Sequence, residues 1–302
     1  LFLWFKADWF YLQFLMIATA FTAKELIRWN RAGRSTHVFN PSAFPLAIFS
    51  LGLILTGTTY LTWGAEIANT FELPPHIRLW IFAIGLPGQF LFGVVTMTMS
   101  AVATVVGFGL AYYAVFHTYF FVDAFVPAAV FLGMHLLFTD PSTSPRSELG
   151  RIFFGVLYGT GVIVLYAAFE KLGIPSFYDK LLPVLLLNLL VPGIEAATGS
   201  SVLRPFDPTR IGRSLSPRRR NLAYIAIWVV IFVAQTDPLG AYRPRRWVPF
   251  WQQACQGNRF RGCEVLGRIE SKYCDDGSSW ACNELGILAA ERGMTSAYSS
   301  EE

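Results

Sequence analysis

The sequence predicts an all-α fold: a polytopic membrane bundle of about eight transmembrane helices, followed by a small helical domain held together by disulfides. Three observations predict it. Of the 302 residues, 54% are hydrophobic and 15% are charged, whereas soluble domains carry about 25% charged residues. The mean hydropathy is +0.44, so most of the apolar surface needs lipid as its solvent. All four cysteines lie in the last fifth of the chain, which indicates a separate domain there.

Hydrophobic runs between charged or Pro/Gly-containing stretches give the candidate spans. They are residues 9–23, 43–63, 79–97, 101–116, 121–138, 152–172, 181–197 and 222–236. Several are shorter than the roughly 20 residues that cross a bilayer. Pro87 and Gly88 interrupt the long apolar run 79–116, and we expect a broken helix there.

Basic residues predict the orientation of these spans. The loops 24–40, 140–151 and 200–221 carry twelve of them: Lys24, Arg28, Arg31, Arg34, Arg146, Arg151, Arg204, Arg210, Arg213, Arg218, Arg219 and Arg220. The opposite loops carry three, Arg78, Lys171 and Lys180. With eight spans the basic loops share one face, which the positive-inside rule makes cytoplasmic. We therefore expect a multi-pass protein of the cytoplasmic (inner) membrane, with residues 1–238 as the bundle and residues 239–302 as an extracytoplasmic, periplasmic domain.

The cysteines repeat with a period of 19 residues. Cys255-x7-Cys263-x2-Leu-Gly recurs as Cys274-x7-Cys282-x2-Leu-Gly, with glycines inside each interval. This pattern predicts short helices joined by glycine turns, each cysteine pair joining a turn to the next helix. An oxidised pair agrees with a location outside the cytosol. In the chain-entropy model, closing such a loop contributes roughly 2.5 kcal/mol.

The spacing around Ala254-Cys255 and Ala281-Cys282 resembles the cysteine-rich form of Sel1-like helical repeats. That resemblance implies a surface for protein contacts. A disulfide-stapled tail without a partner is the alternative. A four-cysteine zinc site is disfavoured because the segment has no Cys-x2-Cys pair.

Chemical motifs are scarce in the rest of the chain. It contains no P-loop, dinucleotide fingerprint, catalytic triad or metal cluster. The four histidines, His37, His76, His117 and His135, fall at different predicted depths, so we expect structural roles rather than haem ligation. The modest net charge of +4 does not indicate a nucleic-acid partner. The first residue is Leu1 rather than Met, and we expect residues to precede it in the protein.

Polar segments lie at the ends of, or inside, three of the predicted spans. Asn40 precedes Pro41 and Ser42, which predicts a capped helix start. Asp140-Pro141 predicts the end of one helix, and Ser147 is expected to cap the next helix. Arg151 is expected to form an ion pair with Asp140 across the short loop. Asn188 and Pro192 lie inside the seventh span. One explanation of these residues is that they only start, end or interrupt helices.

A resemblance to a known family is the other explanation. It rests on F-N-P-S-A-F at 39–44, on F-T-D-P-S-T-S-P at 138–145 with G-R-I-F-F-G-V-L-Y-G at 150–159, and on L-L-x-N-L-L-V-P-G-I-E at 185–195. Over about residues 36–200, the chain resembles the family that includes the D subunit of the Rnf complex and the B subunit of the sodium-translocating NADH:quinone reductase. The matching motif residues are Asn40, Pro41, Ser42, Thr139, Asp140, Pro141, Pro145, Gly150, Arg151, Gly155, Asn188 and Pro192.

The resemblance implies a multi-helix electron-transport subunit that takes part in ion translocation and carries flavin, with one FMN esterified to a threonine in an outer S-G-A-T loop. The corresponding stretch 56–78 lacks S-G-A-T, so we expect no covalent flavin. Candidates for holding a flavin without a covalent bond are Thr58, Thr59, Tyr60, Trp63 and Thr70. The aromatic residues among them are equally typical of the membrane interface.

Two functions follow as hypotheses. The first is a non-catalytic or degenerate electron-transport-type subunit, acting as a structural component of a larger membrane complex, with other membrane subunits and lipids as partners. The missing attachment signal favours it, and the Arg-rich loop 204–220 offers a surface for a partner or anionic lipid. The second is a flavin-binding redox subunit of an ion-translocating complex. Any activity would then belong to an oxidoreductase complex rather than to this chain alone.

Overall fold

The computed structural model describes residues 3–31, 33–64, 67, 77–121, 126–175, 177–211, 215–235, 248–275 and 277–292. These residues form mostly α-helices: α1 Tyr11–Leu26, α2 Ala43–Thr56, α3 Ile77–Phe92, α4 Val95–Phe116, α5 Ala128–Leu132, α6 Glu148–Leu172, α7 Leu182–Thr198, α8 Pro208–Ile211, α9 Pro217–Gln235, α10 Val248–Gln256, α11 Gly262–Asp275 and α12 Ser279–Arg292. A π-helical turn, Gly133–Leu137, continues α5. A small hairpin pairs β1 Arg28–Arg31 with β2 Arg34–His37 in antiparallel register.

Every predicted span coincides with a helix, but the helices differ in length. Within the described residues, three are long and apolar enough to cross a membrane: Val95–Phe116, Glu148–Leu172 and Tyr178–Thr198. Three apolar helices are shorter: Ala43–Thr56, Ile77–Phe92 and Ala128–Leu137. An all-α protein with membrane-spanning helices is therefore supported, whereas the number of eight spans stays a prediction.

Two helix ends differ from the sequence-based expectation because glycines adopt left-handed backbone conformations. The span predicted for 43–63 is helical only to Thr56, and Gly57 follows with φ of +66°. The break expected at Pro87 is absent, because α3 continues through Pro87 to Phe92. The chain instead turns at Gly93, whose φ is +64°. Glycine adopts this conformation at little cost, whereas other residues rarely do.

The chain divides into two compact units. The first comprises Leu1–Val105 and Val126–Ala241. Within it, α7 packs against α6 and α2, α1 packs against α2, and α3 packs against α5 and α9. Large buried side chains fill the spaces between these helices, among them Tyr158, Phe138, Phe154, Trp228 and Phe232.

The second unit comprises Val106–Phe125 and Tyr242–Glu302. Its core surrounds Trp251, together with Ala254, Cys255, Val265, Leu266 and Leu288 from α10, α11 and α12. Tyr119 packs against Trp251, and the Thr118 hydroxyl donates to the Phe260 carbonyl at 3.0 Å. The sequence placed the domain boundary between residues 238 and 239, which lie outside the described residues. The compact unit also takes in the C-terminal part of α4, which the sequence did not indicate.

Candidate functional site

The three motif segments meet in one hydrogen-bond network within the first unit. Asn188 Oδ1, from α7, accepts from the backbone N–H of Asn40 at 3.1 Å. The Asn188 amide donates to the Thr143 carbonyl at 3.2 Å, and the Asn40 amide donates to the Leu137 carbonyl at 2.8 Å. Both asparagines are buried. Segments that lie about 100 and 45 residues apart in sequence are thereby fixed together by buried polar contacts.

Asn40 also stabilises the turn that precedes α2, although the helix begins at Ala43 and not at Pro41, where the position of Asn40 before Pro41 predicted its start. Its Oδ1 accepts from the backbone N–H of Ser42 at 2.9 Å and of Ala43 at 3.2 Å. The Ser42 hydroxyl donates to the same oxygen at 2.7 Å. Because the first N–H groups of a helix lack intrahelical partners, this oxygen satisfies groups that burial would otherwise leave unpaired.

Asp140 organises the turn of the second motif segment. Its carboxylate accepts from the Ser142 backbone N–H at 2.9 Å and from the Thr143 hydroxyl at 3.2 Å. His37 Nε2 lies 3.2 Å from Asp140 Oδ2, the oxygen that also accepts from the Thr143 hydroxyl. The Thr139 hydroxyl donates to the carbonyl of His135, four residues earlier, at 2.8 Å. Pro141 itself is exposed.

The predicted pair of Arg151 with Asp140 is wrong. Arg151 instead lies 3.0 Å from the Glu148 carboxylate, one turn earlier on α6, and donates to the carbonyls of Gly93 at 2.6 Å and Pro145 at 3.2 Å. Thr96 completes the group by donating to Glu148 at 2.8 Å. Helical spacing favours the i,i+3 partner, while Asp140 is already engaged by its own turn and His37. Arg151 therefore ties α6 to the turn between α3 and α4.

A second arginine cluster joins the basic loops. Arg31, from β1, lies 2.5 Å from Glu195 and donates to the carbonyls of Ser142 and Ser144. Arg146 donates to the Arg31 carbonyl at 3.2 Å, and its backbone N–H reaches Glu195 at 3.0 Å. Two of the loops that the charge pattern placed on one face, 24–40 and 140–151, are thus in direct contact, and both contact Glu195 of α7.

Glycines of the motif segments occur where elements approach closely. A Cβ on Gly155 would overlap the Met97 carbonyl and the Ser100 side chain, so α6 and α4 touch there. A Cβ on Gly150 would lie 2.8 Å from the Pro145 side chain and 2.7 Å from Ser147 Oγ. Ser147 caps α6, as predicted, by accepting from the Gly150 N–H at 3.0 Å. Pro192 is exposed within α7 and does not interrupt it.

A cavity of about 660 Å³ lies beside this network. Six motif residues line it: Asn40, Pro41, Ser42, Thr139, Asp140 and Pro141. Its remaining walls come from α1, β2, α3 and the π-helical turn, through Lys24, His37, Gln89 and His135 among others. Its volume falls within the range of small-molecule pockets, and we call it the motif cavity.

Two buried side chains in the motif cavity have polar atoms without partners among the described residues. Gln89 is 1% exposed, and neither its amide nitrogen nor its oxygen is hydrogen-bonded. His135 is 2% exposed; its Nδ1 contacts the Phe131 carbonyl at 2.8 Å, while its Nε2 has no partner. Buried polar groups are normally hydrogen-bonded. Sequence reasoning treated His135 as structural and overlooked Gln89, although a polar residue inside an apolar run is itself a signal of function.

The flavin candidates lie in a different part of the first unit. Thr58 bonds to Thr56 through their hydroxyls at 2.7 Å, and Thr59 begins a short 3-10 turn. Tyr60 is 66% exposed, and Trp63 is 46% exposed with Lys6 over its ring at 4.9 Å. Thr70 lies outside the described residues. None of the four described candidates lines the motif cavity.

The cysteines form the two bonds that their spacing predicts, Cys255–Cys263 and Cys274–Cys282. Each links the end of one helix to the start of the next across a glycine-containing turn. Among the described residues, no group of three or more His, Cys, Asp or Glu side chains is arranged to hold a metal ion.

Comparison of the chain with protein-family models, curated proteins and solved structures found no match. The fold and the sites define a class: a mostly helical protein that has, among its described residues, three helices long and apolar enough to cross a membrane, and a disulfide-bonded helical unit.

Proposed function

We propose that the chain is a structural subunit of a larger membrane protein complex, of the electron-transport type that the Rnf D subunit and the quinone-reductase B subunit represent. The observation that carries this proposal is the use of the motif residues. Asn40, Asn188 and Asp140 bond to backbone groups and turns of the other motif segments. Their polar groups hold loops together, as a scaffold requires, rather than presenting reactive atoms.

The flavin candidates support the same proposal. Tyr60 is largely exposed, and one face of Trp63 carries the Lys6 ammonium. A tightly held isoalloxazine needs a pocket that buries most of its surface. A scaffold subunit instead needs surfaces for neighbours, and the disulfide-bonded helices of the second unit provide a rigid one.

A flavin-binding redox subunit is the second candidate. It is favoured by the exposed rings of Tyr60 and Trp63, which stand next to the hydroxyls of Thr58 and Thr59. Exposed aromatic rings are available to stack on a planar heterocycle. In that case the electrons would pass through a flavin held without a covalent bond.

One purification distinguishes the two. The tagged full-length chain is extracted from its native membrane in mild detergent, sized by light scattering, and its visible spectrum is recorded before and after denaturation. The structural proposal expects a stoichiometric membrane-protein partner and no absorbance near 450 nm. A monomer without partner contradicts it. A yellow chromophore released by denaturation supports the redox alternative.

A further inference from the structure

The motif cavity lies at the end of the first unit that carries the basic loops. Lys24 stands in the last turn of α1, and His37 and Asp140 lie on the loops that Arg31 and Arg146 join. Basic residues gather at the cytoplasmic surface of membrane proteins. The charged rim of the motif cavity is therefore placed at headgroup level.

Apolar residues form another side of the motif cavity. Ile84, Phe92 and Leu136 line it and are themselves exposed on the helix surface. An apolar groove of about 370 Å³ runs along α1 next to Lys24; its walls are Leu15, Ala18, Thr19, Thr22, Ala23, Leu26, Ile27 and Phe44. Exposed apolar surface at this position suits hydrocarbon chains, so the occupant is expected to be an amphiphile.

The unpartnered atoms specify what the polar head of that amphiphile must supply. A carbonyl oxygen only accepts, so His135 Nδ1 donates to Phe131, and Nε2 of the neutral ring is left as an acceptor. Gln89 requires both an acceptor for its nitrogen and a donor for its oxygen. Both side chains border Gly85, since a Cβ on Gly85 would lie 3.2 Å from His135 Cδ2 and 3.6 Å from Gln89 Nε2.

We infer that the motif cavity binds one phospholipid of the cytoplasmic leaflet whose head group bears hydroxyls, such as phosphatidylglycerol. The two hydroxyls of this head group can donate to His135 Nε2 and to Gln89 Oε1, and one of them can accept from Gln89 Nε2. The phosphate lies near the ammonium of Lys24, and the acyl chains follow the exposed apolar walls. Phosphatidylcholine has the same phosphate and chains but no donor, so it leaves His135 Nε2 and Gln89 Oε1 unpaired. This inference is independent of whether the chain carries a flavin.

The test uses the delipidated full-length chain in neutral detergent, mixed with dioctanoyl phosphatidylglycerol or dioctanoyl phosphatidylcholine. Native mass spectrometry measures the lipid retained. We expect one phosphatidylglycerol per chain, bound at least about tenfold more tightly than phosphatidylcholine, since each of the two buried groups left unpaired weakens binding by about that factor. Equal retention of the two lipids would overturn the inference and indicate only annular lipid.

Variants locate the site. Gln89→Leu is expected to lower phosphatidylglycerol binding about tenfold, while Gln13→Leu, on α1 and outside the motif cavity, leaves it unchanged. Gly88→Leu narrows the cavity without removing a polar group, and nothing lies within 4 Å to obstruct the side chain. The control is Gly193→Leu on α7, because a side chain at this position also meets no atom within 4 Å. Binding that is unaffected by both cavity variants, or lost equally in the controls, would place the lipid elsewhere. If Gln89→Leu does not fold, Gly88→Leu decides.

Discussion

The side chain of Asn188 bridges two loops: its oxygen accepts from the Asn40 backbone N–H at 3.1 Å, and its nitrogen donates to the Thr143 carbonyl at 3.2 Å. The asparagine is thus a buried clamp between the N-terminal hairpin region and the loop before α6. A single amide does this because it carries a donor and an acceptor side by side. Four predictions follow from this clamp and from three other features.

Replacing Asn188 by Leu should destabilise the first unit. The change leaves the Asn40 N–H and the Thr143 carbonyl unpaired in a buried region, which costs about 2 kcal/mol or more. Heating detergent-solubilised protein and measuring the monodisperse fraction by size-exclusion chromatography reports the loss. Asn30→Leu, on the partly exposed β1, is the control and should unfold like the wild type. A variant Asn188→Leu as stable as that control would show that the clamp contributes nothing.

Replacing Gly155 by Ala should separate α6 from α4. The added Cβ overlaps the Met97 carbonyl, which is backbone and cannot rotate away, and overpacking of this kind costs about 1–3 kcal/mol. The same thermal assay measures it. Gly193→Ala has nothing within 4 Å and removes a helical glycine, so it should be neutral or stabilising by up to about 1 kcal/mol. Equal effects of the two substitutions would contradict the close contact.

The four cysteines should resist a thiol reagent until reductant is added. Labelling of intact cells with a maleimide polymer, read as a mass shift on a gel, tests both oxidation and the proposed outer location. Removing one bond with Cys255→Ala and Cys263→Ala should leave the other two cysteines protected. It should also lower the free energy of unfolding of the second unit by roughly 2.5 kcal/mol. Removing Cys274 and Cys282 is the matched comparison. Labelling without reductant would argue against either bond in the cell.

The second unit should lose stability as the pH rises from 4.5 to 7. Burial raises the pKa of Glu270 from 4.5 to about 7, and the Glu284 carboxylate raises it as well. Glu270 is 1% exposed. Because its folded pKa exceeds its unfolded pKa, the stabilisation is complete below pH 4.5 and is lost as the pH passes 7, by at most about 3 kcal/mol.

Hydrogen exchange of peptides from α11 in the full-length chain, corrected for the intrinsic pH dependence of exchange, measures this change. Glu270→Gln should abolish the dependence and protect α11 better than the wild type at pH 8. Glu264→Gln is the control on the same helix, because its carboxylate is half exposed and pairs with Arg268 at 2.6 Å. An unchanged dependence in Glu270→Gln would assign it to another group.

Local patterns in the sequence were sufficient to locate the helices and the disulfides. Each apolar run overlaps a helix in the described residues, the cysteine spacing predicts the pairing of Cys255 with Cys263, and Ser147 predicts the start of α6. These features depend on neighbours in sequence, so spacing and residue type determine them. The turn at Gly93 was misplaced to Pro87, because a helix tolerates a proline when the surrounding helices satisfy its free carbonyl.

Only the tertiary structure decided which distant groups meet. It gave Arg151 the partner Glu148 instead of Asp140, brought Gln89 and His135 to the same glycine, Gly85, and placed the end of α4 in one compact unit with the cysteine-containing helices. Such contacts depend on how helices cross and which side chains compete for one partner. The sequence alone determined a mostly helical chain with helices apolar enough to cross a membrane and two disulfide-closed turns, because periodicity and spacing act locally. The Asn40–Asn188 clamp and the motif cavity exist only where three separate segments are packed together.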